Sequence, residues 1–302
     1  MSGTENLFDY FFRETSEQPA LYYGDEVISH REVGERSRQT AAKFVAAGLE
    51  PGERVGLLLW DSPEFIYSFL AICSLGAIAV PLNPALGQDE ITFILSDCGA
   101  RGLVVEWALM ESLGPRLARL DALQWILVVN RQGGGVPEPL ADKHVGDLAT
   151  ASTGPLPQPY PSPVDSETPA FLLYTSGSTG QPKGAIHTHS DIPYTVETYI
   201  RQVLDVRPED RIFSASRLPF AYGLGNSLSA PLACKASVIL CREKPTPPVI
   251  QHIFSRYHPT LFFGVPVTYK MLLDFHREGN ALDTHSLRLC VSAGEALPAE
   301  LA

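Results

Sequence analysis

Short apolar runs separated by helical stretches constrain this chain most. In the first half the runs are "RVGLLLW" (54–60), "AIAVPL" (77–82), "GLVVEW" (102–107) and "WILVVN" (125–130). In the second half they are "AFLLYT" (170–175), "DRIFSAS" (210–216), "ASVILC" (236–241), "TLFFGV" (260–265) and "LRLCVSA" (287–293). Each is too short for a buried helix and reads as a strand. Between them lie segments with helical signals. "ISHREVGERSRQTAAKFVAAG" (28–48) has Ser29 as N-cap and Gly48 as C-cap. Asp61 or Ser62 caps the helix carrying Phe65 and Leu70, "GQDEITFILSDCG" (87–99) is a short helix closed by Gly99, and "DIPYTVETYIRQVL" (191–204) is another. Alternating strands and helices predict an α/β fold with largely parallel sheets.

The stretch "QGGGVPEPLADKHVGDLATASTGPLPQPYPSPVDSETP" (132–169) breaks the alternation and reads as an irregular connection. Connections of that length often mark a boundary. Two similarly wound subdomains are therefore expected, 1–165 and 166–302, the second carrying the phosphate loop described next.

"FLLYTSGSTGQPKG" (171–184) runs from a buried strand into a turn of glycine, serine, threonine and proline, then a lysine. Glycine lets a ligand approach the backbone, amides in such turns form anion-binding concavities, and lysine adds a compact positive charge. The hydroxyls of Thr175, Ser176, Ser178 and Thr179 can donate to phosphate oxygens. The spacing is not that of the P-loop: the sixth position from Gly177 is Pro182, and neither Ser nor Thr follows Lys183.

"YTSGSTGQPKG" resembles the phosphate-binding signature of the adenylate-forming enzymes, which include acyl- and aryl-CoA synthetases, peptide-synthetase adenylation domains and luciferases. "RLPFAYGLGNSL" (217–228) is similar to the family segment lining the acid pocket, and "FAYGLGN" looks like the benzoate-CoA and 4-hydroxybenzoate-CoA ligase branch. "GVPVTYKML" (264–272) and "LRLCVSAGEALP" (287–298) are also similar to family segments. The resemblance implies the N-terminal domain of such an enzyme. It implies ATP, Mg2+ and coenzyme A as cofactors and co-substrates, and activation of an aromatic, benzoate-like acid as an acyl-adenylate.

Residue by residue, it assigns ATP binding to Thr175, Ser176, Gly177, Ser178, Thr179, Gly180 and Lys183, with Thr179 also near the magnesium ion and Lys183 and Thr179 closest to the chemistry. It assigns the adenine wall to Gly294, Glu295 and Ala296. It assigns the acid site to Phe220, Ala221, Tyr222 and Gly223, whose aromatic faces and open glycine suit a ring. His189, in "HTH", matches a family histidine and receives no chemical role. The family's later magnesium-binding glutamate, ribose-binding aspartate and C-terminal lysine have no counterpart in these residues. The chain is therefore expected to be an N-terminal portion with little or no turnover alone. A domain loading a carrier protein, or a module that only binds nucleotide or acid, stays open.

Composition narrows the rest. The formal charge of −11 argues against a general nucleic-acid surface. Five scattered cysteines contain no CxxC pair, which disfavours a dithiol or zinc-ribbon site. No secretory signal is seen at the N-terminus. "FIYSFLAICSLGAIAVPL" (65–82) is about long enough for a span, but Gly76 and Pro81 break it, so a buried helix followed by a buried strand is expected. A cytoplasmic protein is the default reading.

Overall fold

The computed structural model describes residues 5–130, 140–176 and 180–301. The chain begins with α1 (Leu7–Phe12), β1 (Pro19–Tyr23), β2 (Glu26–Ser29) and α2 (His30–Ala46). It continues through β3 (Arg54–Leu58), α3 (Pro63–Ser74), β4 (Ile78–Pro81), α4 (Gln88–Asp97), β5 (Gly102–Glu106), α5 (Trp107–Leu117), β6 (Trp125–Val129) and β7 (His144–Asp147). The hairpin β8 (Pro169–Ser176) and β9 (Pro182–Thr188) leads into α6 (Asp191–Thr195) and a π-helical turn (Val196–Ile200). Then come β10 (Arg211–Ser214), α7 (Ala221–Leu224), a second π-helical turn (Gly225–Ser229) and α8 (Ala230–Cys234). The described chain closes with β11 (Ser237–Ile239), α9 (Pro247–Tyr257), β12 (Leu261–Gly264), α10 (Pro266–Arg277) and β13 (Leu289–Ser292), followed by a short 3-10 turn.

The strands form two sheets, ordered β7-β6-β5-β3-β4-β8-β9 and β13-β12-β10-β11-β1-β2. Every pairing is parallel except the hairpins β1–β2 and β8–β9. By contact, residues 5–14, 32–60 and 64–194 make one unit, and residues 15–31, 61–63 and 195–301 make the other. The expected α/β class with largely parallel sheets is what the chain adopts.

In the first unit, the apolar runs become strands buried on both faces, as parallel sheets require. Val55, Leu57, Leu58, Leu103, Val104 and Val105 are all buried. Leu58, Val80, Ile94, Leu95, Leu103 and Ile126 belong to one core cluster. At Gly102 the Trp125 ring lies so close that a Cβ would meet it at 2.0 Å, so the pair admits only glycine there. The ring also stacks on Phe44 at 5.5 Å. The chain leaves α2 through Gly48 at φ +89°, with its N–H on the Val45 carbonyl and the Leu49 N–H on the Phe44 carbonyl, both 3.0 Å. That paired left-handed ending satisfies the last carbonyls and turns the chain toward β3. Gly99 ends α4 in the same way before β5. The run 65–82 is buried helix α3 and buried strand β4, as expected.

The strands β1, β2, β7 and β9 depart from the sequence reading. The connection 132–169 contains strand β7, which pairs parallel with β6 from Trp125↔His144 to Val128↔Asp147. As an edge strand without an apolar run it carries little pattern. The hairpin β1–β2 was not anticipated. Of the two caps expected for α3, Asp61 or Ser62, Ser62 directly precedes the first helical residue Pro63, while Asp61 accepts from the Leu218 N–H. Among the described residues, no helix is long and apolar enough to cross a membrane.

In the second unit, Phe213, Ile239, Ile250, Ile253, Phe254, Phe262 and Leu272 make the core beneath β10, β11 and β12. Asp210 is buried at the start of β10. Its carboxylate accepts from Arg288 Nε at 2.8 Å, Arg288 Nη2 at 2.5 Å, Thr260 Oγ1 at 2.7 Å and the Arg207 N–H at 2.8 Å.

Candidate active site

The site is best built from β8. Ala170, Phe171 and Leu173 bury their side chains, and Phe171 pairs with Ala79 of β4. The strand is thereby fixed in the sheet interior before its sequence changes to hydroxyl residues. β9 returns antiparallel in the register Tyr174↔Gly184, Thr175↔Lys183 and Ser176↔Pro182. Directly opposed residues project to the same side of a hairpin. The hydroxyl of Thr175 and the ammonium of Lys183 therefore leave the same face at the mouth of the turn, and both residues are exposed.

Two contacts hold this register. The Tyr174 ring covers Gly184, where a Cβ would meet Tyr174 Cζ at 3.0 Å. The Tyr174 hydroxyl donates to Asp97 Oδ2 at 2.5 Å. Burial, then the bond to Asp97, pushes the phenol well above its ordinary range, so it stays a donor. Lower down, the Phe171 and His187 rings stack at 4.6 Å and 8°. Gly180 takes φ +87° with open space where a Cβ would stand. Gly177, Ser178 and Thr179 lie outside the described residues, as does the side chain of Ser176.

His189 ends the hairpin as a buried group. Its Nδ1 accepts from the Leu7 N–H at 3.1 Å, and Nε2 has no partner among the described residues. Desolvation pushes the imidazole down to about 4. It is thus a neutral acceptor anchoring α1.

The other expected residues lie at α7 and just beyond the strand β13. The Asp61 carboxylate accepts the Leu218 N–H at 3.1 Å and fixes the loop entering α7. Burial pushes that carboxyl up to about 7, while Arg217 and the Leu218 amide act in the opposite direction. Gly223 packs against the same loop so closely that a Cβ would stand 1.9 Å from the Arg217 carbonyl oxygen. Phe220, 47% exposed, and Ala221 face solvent. Tyr222 reaches across to β13 and donates to the Val291 carbonyl at 3.2 Å. Tyr269 donates to the same oxygen at 2.8 Å. Just beyond β13, Gly294 turns the chain at φ +93° and Glu295 and Ala296 are exposed.

The structure therefore joins Thr175 to Lys183, and joins Tyr222 to the strand that delivers Gly294, Glu295 and Ala296. The positioning residues Asp61, Asp97 and Tyr174 were not singled out from sequence for these roles. Their partners lie 157 and 77 residues away, and no local pattern signals such pairs. Asn226, buried one helical turn on from Tyr222, is hydrogen-bonded to the Tyr222 side chain.

Comparison with known proteins bears on this arrangement. The family described as AMP-binding enzyme matches residues 8–302. The benzoate–CoA ligase of Thauera aromatica is 38% identical over 268 residues, covering 88% of this chain and 48% of the relative. The anthranilate–CoA ligase of Pseudomonas aeruginosa PAO1 is 34% identical over 303 residues, covering 99% of this chain and 55% of the relative. Among solved structures, the anthranilate CoA ligase AuaEII in complex with anthranoyl-AMP superposes with a TM-score of 0.87 at 33% identity, covering 100% of this chain and 57% of that one. A benzoate CoA ligase from Burkholderia xenovorans LB400 gives 0.83 at 29% identity, covering 98% of this chain and 57% of that one. The chain spans about half the length of the curated relatives it matches.

Proposed function

Because the chain belongs to the AMP-binding enzyme family, we propose that it carries the ATP- and acid-binding half of an ATP-dependent aryl acid–thiol ligase. The observation that carries this reading is the opposed pair Thr175 and Lys183 at the end of a buried strand. A hydroxyl donor and an ammonium on one face of an open glycine turn fit a polyphosphate, which needs charge neutralisation and donors more than a nucleophile.

In the proposed reaction, a carboxylate oxygen bonds to the α-phosphorus of ATP and the bond to the pyrophosphate oxygen breaks. Lys183 and Thr175 hold the β- and γ-phosphates, and Ser176, Gly177, Ser178, Thr179 and Gly180 are the further residues proposed to bind ATP. Magnesium, held beside Thr179, would neutralise phosphate charge when bound. Gly294, Glu295 and Ala296 would wall the adenine. Phe220, Ala221, Tyr222 and Gly223 would shape the acid site. The thiol of coenzyme A then attacks the acyl carbon and AMP leaves. Relatives named for benzoate, hydroxybenzoate and anthranilate support an aromatic acid.

Calorimetric titration of the chain with ATP and Mg2+ tests the reading. Saturable binding is expected, weakened by about tenfold or more in Lys183→Ala, the scale of a lost charge-assisted contact. Absence of binding in the unsubstituted chain, or equal affinity in Lys183→Ala, would overturn it.

A further inference from the structure

Away from the residues discussed so far, the sequence places a histidine at the end of α9 and the tetrapeptide "DTHS" (283–286) before β13. The fold brings them together. His258 closes α9 in the left-handed region at φ 48°, with its N–H on the Phe254 carbonyl at 3.1 Å. The loop facing it is pinned at both ends. Leu282 and Leu287 pack against the core cluster of Phe254 and Phe262. Gln251 Nε2 donates to the Ala281 carbonyl at 2.6 Å, and Ser286 Oγ donates to the Pro259 carbonyl at 2.7 Å.

Between those anchors, His258 Nδ1 lies 3.7 Å from Asp283 Oδ2, and His285 Nδ1 is hydrogen-bonded to Asp283 Oδ1. The two imidazole rings sit 5.2 Å apart, tilted by 58°. One ligand atom from each of the three side chains lies within 4.8 Å of the others. The neighbouring His285 imidazole holds the Asp283 carboxyl below the usual carboxylate range.

We propose that His258, Asp283 and His285 form a surface site for a divalent transition ion of the zinc type, independent of ATP. Two imidazoles and one carboxylate are the donor set such ions favour, whereas Mg2+ and Ca2+ take oxygen ligands. Zinc–nitrogen bonds of about 2.0 Å place tetrahedral donors about 3.3 Å apart. The cluster therefore needs only a modest inward rotation of two side chains that are 47% and 69% exposed. Three protein ligands leave a position for water. The bound ion would tie the loop before β13 to the end of α9.

The test titrates Zn2+ alone into the chain by calorimetry, with thermal melts recorded alongside. One saturable site is expected, together with a zinc-dependent rise in Tm. His258→Ala with His285→Ala should weaken binding at least about tenfold and abolish the rise, while equimolar Mg2+ does not compete. Asp283→Asn, which keeps the side-chain shape, should also weaken it. Variants that melt like the parent without zinc establish that the loss is not unfolding. Equal zinc affinity in the parent and the double variant would overturn the site. So would absence of saturable binding in the parent, or zinc uptake removed by substituting the exposed Cys290 with serine and not by substituting the histidines.

Discussion

The Leu218 amide donates to the Asp61 carboxylate at 3.1 Å across 157 residues of sequence. The carboxylate is 5% exposed and its pKa is pushed up to about 7, chiefly by burial. A carboxyl with a higher pKa folded than unfolded binds its proton more tightly in the folded state. Its contribution is fully present below pH 3.8 and is lost as pH rises through about 7. Asp61→Asn keeps an oxygen for Leu218 and removes the titration. Its Tm should exceed that of the parent above pH 7 and converge with it near pH 4, the difference in stability growing by at most about 1.4 kcal/mol per pH unit. Melts followed by circular dichroism from pH 4 to 8 check this. A less stable variant at pH 8 would mean that Arg217 holds the carboxylate ionised after all.

His189 titrates with the opposite sign. Its imidazole is pushed down to about 4 from 6.5 by desolvation, so its stabilising contribution is present above pH 6.5 and is lost as pH falls toward 4. His189→Asn offers the Leu7 amide another acceptor without a proton to gain. The acid limb of the stability profile between those two values should become shallower, by at most about 1.4 kcal/mol per pH unit. Urea unfolding at successive pH values measures the slope.

Gly223 and Gly225 separate space from helix propensity. A Cβ at 223 would stand 1.9 Å from a backbone oxygen, whereas one at 225 meets nothing within 4 Å. Gly223→Ala should lower stability by about 1–3 kcal/mol or more, because backbone has to move. Gly225→Ala should be neutral or slightly stabilising, since alanine favours helix by about 1 kcal/mol over glycine. Denaturant midpoints of the two variants decide the matter, and similar losses at both positions would contradict the close approach.

Arg288→Ala leaves Asp210, 1% exposed on its side chain, without its guanidinium. Burial pushes the Asp210 carboxyl up, but Arg288, the Arg207 amide and Thr260 together hold it below its ordinary range. Removing the arginine should cost about 3–5 kcal/mol, the usual penalty for stranding a buried charge. Equilibrium unfolding at neutral pH reads the loss. Little change would mean that Thr260 and the Arg207 amide suffice.

Much of the fold was legible because parallel strands buried on both faces read as apolar runs. β3, β5, β6, β10 and β12 all coincide with such runs. The glycine stops at 48 and 99 were equally readable, since each closes a helix at positive φ. The exceptions share a physical cause. β7 and β9 are sheet edges, half-buried in β7 and largely exposed in β9, so they carry no apolar run. The β1–β2 hairpin turns on Gly24 and Asp25, a short signal beside a stronger helix. For the candidate site, the residue types at the end of β8 and the start of β9 were visible, but what orients them was not. Tyr174 reaches Asp97 and Tyr222 reaches Val291 through tertiary contacts alone. The close backbone approach at Gly223 could only be seen folded.

The wide turn Gly225–Ser229 sits between two ordinary helical segments. A turn of that kind holds one residue more than its neighbours, so every side chain after it is rotated by about 100° from where a regular helix would put it. Loss of a single codon there would restore the regular ladder and swing Ala230–Cys234 around relative to Tyr222. Gene-level insertions and deletions of one residue are thus a cheap way to re-aim this helix, and a sequence alignment gap at 225–229 should be read as a change of facing, not of length.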